Sequence, residues 1–112
     1  GQYWEQRAEH FLLQNGRQLI ARNFSTSSGE IDLIMRDGEQ VAFIEVRYRR
    51  SDRFGGAIHS VTATKQRKLK RYAALFVSGQ KAWSHHPCRF DVITYDAAKG
   101  DGEPMWIRAA FD

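Results

Sequence analysis

Residues 30–49 read EIDLIMRDGEQVAFIEVRYR, and this stretch decides the fold. Two runs rich in β-branched and aromatic residues, 30–36 and 39–49, flank Asp37-Gly38, a dipeptide suited to a tight hairpin turn. In the second run Val41, Phe43, Glu45 and Arg47 alternate with Ala42, Ile44, Val46 and Tyr48. Both sets are largely apolar up to position 46, so the strand is central and covered on both faces. An ionised Glu45 in such a strand is costly unless something pairs with it. With Asp37-Gly38 as a two-residue turn, Arg36 faces Glu39, Asp32 faces Phe43 and Glu30 faces Glu45. Asp32 and Glu45 then become diagonal neighbours on one face, within reach of each other's side chains.

Carboxylates converging on one face repel each other. A hard divalent cation resolves the conflict. Mg²⁺ takes one or two carboxylates together with water and phosphate oxygens, and it acidifies water and stabilises charge developing on phosphorus. The expected cofactor is therefore Mg²⁺, or Mn²⁺ in its place. Arg47 points to the same side as Glu45 and is suited to clamp a phosphate through paired hydrogen bonds. Its pKa is too high for a general base. The competing reading is structural: Asp32 and Glu45 form a pair satisfied by Arg47 and a neighbouring lysine. Glu30 reads as a turn-flanking surface residue.

Working outward, Trp4, Ala8, Phe11 and Leu12 recur on one face of a helix over 3–14, which Asn15-Gly16 stops. Glu5 lies on the apolar side of that helix, whereas Glu9 flanks it. A strand over 17–24 and a loop over 25–29 precede the hairpin. After an irregular loop centred on Gly55-Gly56, either punctuation or a lid, a helix runs over 63–78 with Thr62 or Thr64 as its cap. Leu69, Tyr72, Ala73 and Phe76 form its apolar stripe, and Gly79 ends it. Lys65, Gln66, Arg67, Lys68, Lys70 and Arg71 surround the stripe. Basic residues near a helix start oppose its dipole, which points to a phosphate partner there. A strand over 89–95, a turn over 99–102 and a short final strand over 105–110 complete the chain. Strands joined by short links are antiparallel neighbours, and the crossover through the second helix makes the third and fourth strands parallel. The expected architecture is α/β, a mixed central sheet flanked by helices.

Bulk properties narrow the function. The 112 residues suit one domain, 1–112. A single cysteine, Cys88, excludes an internal disulfide and favours a reducing, cytoplasmic setting. No apolar run is long enough to span a bilayer. The net charge is +4 and the pI about 9.5. Basic residues concentrate between Arg47 and Arg71, which favours a polyanionic partner. His85, His86 and Cys88 lack a fourth ligand and fit no zinc spacing. Asp91 reads as a hydrogen-bonding or salt-bridging residue.

The segments GEIDLI, FIEVRYR, FGGA, TKQRK and RFDVI, in this order, resemble the YraN-like family of uncharacterised bacterial proteins. That family is similar to a branch of the restriction-endonuclease-like, or PD-(D/E)XK, superfamily near the Holliday junction resolvases. The resemblance covers the chain from Glu5 to about Tyr95. It implies a core of α-β-β-β-α-β order and a metal held by Asp32, Glu45 and the Val46 carbonyl. It also implies that Glu5 matches a helix glutamate of resolvase-like members and that Gln66 supports the site or touches DNA. Lys65, Arg67, Lys68, Arg71 and Arg49 would contact the nucleic-acid backbone, DNA rather than RNA, and a homodimer would fit the relatives. The superfamily pattern has lysine two residues after the glutamate, where this chain has Arg47. Arginine keeps the charge but cannot transfer a proton. Two expectations stand: a Mg²⁺-dependent nuclease acting on branched or structured DNA, or a nucleic-acid-binding module of the same fold with little or no cleavage.

Overall fold

The computed structural model describes residues 2–49, 61–96 and 102–112. The Gly55-Gly56 loop lies outside them. Helix α1 (Gln2–Gln14) leads into strands β1 (Gln18–Thr26), β2 (Gly29–Asp37) and β3 (Gln40–Arg49). Helix α2 (Ala63–Ser78) follows, then β4 (Cys88–Asp96) and β5 (Pro104–Phe111). The strands form one sheet in the order β1-β2-β3-β4-β5. Pairing is antiparallel except between β3 and β4, which the crossover through α2 makes parallel. The fold is thus the expected α/β class, with the expected core order.

Each face of the sheet carries one core. On one side Ala8 and Leu12 of α1 pack with Leu33, Met35, Ala42, Ile44, Ile93 and Tyr95. On the other, Leu69, Tyr72, Ala73 and Phe76 of α2 pack with Ile34, Val41, Phe43 and Val92. The alternating apolar sets of β3 serve these two layers, as a doubly covered central strand requires. Thr62 caps α2 by accepting the Lys65 backbone N–H (3.2 Å). Gly29, at φ 153°, is needed for contact with α2. An added Cβ there would lie 2.6 Å from the Tyr72 hydroxyl, which donates to the Ser28 carbonyl (2.8 Å).

The hairpin register differs from the expected one. Asp37 pairs with Gln40, Arg36 with Val41 and Ile34 with Phe43, so the turn is Gly38-Glu39 rather than Asp37-Gly38. The reason lies in Asp37: its carboxylate is held by Arg89 (2.8 Å) and Arg17 (3.2 Å), which keeps it in the ladder. Gly38, at φ 61°, takes the turn conformation instead. Asp32 therefore does not face Phe43, nor Glu30 Glu45. A shift by two residues preserves which face each side chain occupies.

Candidate metal and nucleic-acid site

The site arises where β2 parts from β3. The ladder between them ends at Leu33 and Ile44. Beyond that point the Val46 amide donates to the Asp32 carboxylate, at Oδ2 (2.8 Å), instead of to a backbone carbonyl. A break in side-chain alternation marks the same place: Ile31 joins the α2-side core, whereas Leu33 joins the α1-side core. Facing this break, Asn23 of β1 adopts φ 47°, a left-handed conformation that asparagine tolerates better than most residues. Asp32 is thereby set between the two layers, within reach of both β3 and α1.

Four carboxyl groups gather there. Glu5 of α1, Glu30 and Asp32 each offer an oxygen, and these three atoms lie within 4.8 Å of one another. Glu45 stands beside Asp32, and both are buried, at 6% and 8% exposure. Glu45 Oε2 is buried with no hydrogen-bond partner among the described residues. Asn23 steadies the outer pair, its amide donating to Glu5 (2.7 Å) and more weakly to Glu30 (3.5 Å).

Electrostatics bear on both readings of the acidic pair. Burial, then the adjacent Asp32 charge, push the Glu45 carboxyl up from 4.5 to about 8. Lys65 and Arg47 pull the other way and do not prevail. The nearest Arg47–Glu45 contact is long, 3.9 Å. Asp32 is also raised, by burial first and by the charges of Glu5 and Glu30, with the Val46 amide opposing. The internal cations thus do not offset burial and the repulsion within this acidic pair, which without a further cation keeps a proton near neutral pH. A donor set made only of carboxylates, with one orphaned buried oxygen, suits a hard divalent ion such as Mg²⁺ or Mn²⁺.

Most expected site residues converge. Asp32, Glu45 and Glu5 meet as anticipated, and Arg47 borders Glu45. Val46 joins through its amide. Lys65, expected only as a phosphate contact, is half-buried, and its charge acts on Glu45. Gln66 turns its amide to the Val61 carbonyl (3.1 Å), bracing the entry into α2. Arg67, Lys68 and Arg71 are exposed along α2, and Arg49 is half-buried on β3. Glu30, read as a surface residue, belongs to the acidic cluster. Asn23 was not foreseen, although asparagine before a turn-rich segment is a weak hint of positive φ. Asp91 has the structural role expected. It is 1% exposed and accepts from Arg89 (3.0 Å), Trp106 Nε1 (3.0 Å) and the Ala109 amide (2.9 Å). His86 Nδ1 lies against the Glu39 carbonyl (2.8 Å), and the Cys88 thiol donates to the His86 carbonyl (3.6 Å). No described helix is long and apolar enough to cross a membrane.

Comparison with known proteins supplies the lineage. The model of the uncharacterised protein family UPF0102 matches residues 4–95. A UPF0102 protein of Pseudomonas syringae is 47% identical over 113 residues, covering 100% of this chain and 92% of its own length. Another, from Stutzerimonas stutzeri, is 46% identical, covering 100% and 93%. One from Pseudomonas fluorescens is 45% identical, covering 96% and 89%. The match spans every element from α1 to β4 and agrees with the uncharacterised bacterial family to which the five ordered segments pointed: this chain belongs to protein family UPF0102.

Proposed function

We propose that the protein is a divalent-metal-dependent nuclease acting on DNA, with branched or otherwise structured DNA as the favoured substrate. The observation that carries this reading is the convergence of carboxylates, Glu5, Glu30 and Asp32 within 4.8 Å of one another and the orphaned Glu45 Oε2 beside Asp32. Asp32, Glu45 and the Val46 carbonyl would hold Mg²⁺ or Mn²⁺, with Glu5 and Glu30 assisting. A cation bound there supplies Lewis-acid stabilisation of charge on a phosphoryl oxygen.

The chain's own groups do the rest. The first turn of α2 carries the positive end of the helix dipole, which favours an incoming phosphate. Lys65 in that turn adds an ammonium beside Glu45. Its positive charge adds to that of Arg47, which occupies the motif position where the superfamily pattern has lysine. Arg47 steadies the phosphate. Arg67, Lys68 and Arg71, exposed on α2, neutralise flanking phosphates and set the register of the strand. A pair of copies would offer two such sites to a branched substrate.

The test is incubation of purified protein with Mg²⁺ or Mn²⁺ and branched, single-stranded or duplex DNA. Metal-dependent cleavage lost in Asp32→Ala is the expected result. Binding with a steep salt slope but no cleavage on any substrate would favour the second reading, a binding module in which Arg47 has replaced the usual lysine. Failure to bind any nucleic acid at low salt would refute both.

A further inference from the structure

We propose that an aromatic patch where α1 begins and β3 ends is a stacking platform for unpaired bases, so that the strand reaching the acidic site is single-stranded there. The inference rests on the nucleic-acid reading above and narrows its substrate class.

Five side chains build the patch. Trp4 stacks on Tyr48 with ring centroids 4.5 Å apart and planes 9° from parallel. Trp4 also leans on Tyr95 (4.9 Å) and meets Tyr3 edge-on (4.9 Å). The Arg7 guanidinium lies over Tyr3, Trp4 and Tyr95, between 5.1 and 5.9 Å from their centroids. Ala8 and Leu12 are the buried anchors of α1 on the sheet. Tyr3 and Tyr48 are 60% and 43% exposed. Two exposed rings held next to an inner stacked layer form a contiguous apolar surface of fixed orientation.

Chemistry and position select the occupant. Every base has a π-face that stacks on aromatic rings and on guanidinium planes. Arg7, whose guanidinium lies over three of the rings, favours a polyanionic chain over an apolar partner. Glu5 follows Trp4 directly on α1, and its carboxylate lies within 4.8 Å of those of Asp32 and Glu30. The platform therefore adjoins the acidic cluster through α1. A groove of about 310 Å³ extends from Tyr3 and Arg7 past Tyr95 to Pro104, leaving room beside the rings. Bases in a duplex hide their faces in the stack, so only an unpaired segment can use such a surface.

The test is fluorescence anisotropy in EDTA at low salt. The probes are labelled oligothymidylate, an abasic strand of the same length, and a blunt duplex. Oligothymidylate should bind at least about fivefold more tightly than the abasic strand, the low end of what one stacked base contributes. Tyr3→Ala and Tyr48→Ala should each reduce that preference, Tyr48→Phe should keep it, and none should change duplex binding. Tyr3 is exposed enough for its variant to fold. Equal binding of abasic and base-carrying strands, or a preference unmoved in both alanine variants, would overturn the platform and leave the nuclease reading standing. No binding of any probe would overturn both.

Discussion

Replacing Glu45 by glutamine should make the metal-free protein more stable at alkaline pH while removing its response to metal. The folded-state pKa is raised, so the folded protein keeps a proton that the unfolded chain releases. Stability from this group is fully present below about pH 4.5 and is lost as pH rises through about 8. At about 1.4 kcal/mol per pH unit, that interval amounts to roughly 5 kcal/mol. The Glu45 side chain is only 7% exposed, so solvent screening removes little of it. An amide of the same shape never charges. Glu45→Gln should therefore match the wild type near pH 5 and exceed it by several kcal/mol near pH 8.5, a large share of a small domain's stability. Asp37 provides an internal control of opposite sign. Burial raises its pKa, but Arg89 and Arg17 outweigh burial and hold it low, so its contribution is lost only as pH falls below the ordinary aspartate range. The assay is urea unfolding in EDTA at several pH values, repeated with Mn²⁺. Mn²⁺ should restore the alkaline stability of the wild type by mass action and leave the variant unchanged. Parallel pH profiles for the two proteins in EDTA would refute the reasoning.

Three further outcomes are expected. Asn23→Gly keeps the φ 47° backbone and deletes only the amide that holds Glu5 and Glu30; Mn²⁺ affinity by calorimetry should fall about tenfold or more, with little change in melting temperature. Gly29→Ala would drive a methyl group into the Tyr72 hydroxyl, and denaturant unfolding should show a loss of about 1–3 kcal/mol. Asp91→Ala would leave Trp106 Nε1 and the Ala109 amide without their acceptor and Arg89 with Asp37 as its remaining carboxylate partner, and the same assay should show a loss of about 2–5 kcal/mol.

The layers and strand directions were legible because β3 carries two alternating apolar sets, which only a doubly covered central strand explains. The site's principal acids were legible for a related reason: Asp32 and Glu45 interrupt otherwise apolar strands. The register was misjudged because the ion pairs of Asp37 with Arg17 and Arg89 join residues far apart in the chain, and no local pattern reveals them. The site survived the error because a two-residue shift keeps Glu45 on the same face of β3, while Asp32, at the break in β2, reaches the Val46 amide. Glu5 could be placed by helical spacing alone. Asn23, and the Trp4–Tyr48 stack across 44 positions, could not, since both depend on where β1, α1 and β3 meet in space. Lys65 was recognised as basic, but its approach to Glu45 follows from the packing of α2 against the sheet.

The central claim is that the acids at the parting of β2 and β3 chelate a divalent ion. Anomalous diffraction from crystals soaked in Mn²⁺ tests it most directly. A peak bounded by the carboxylates of Asp32 and Glu45, and lost in Asp32→Ala crystals, is the predicted result. A featureless site at saturating Mn²⁺, with Glu45 instead drawn into close ion pairs with Lys65 and Arg47, would contradict it.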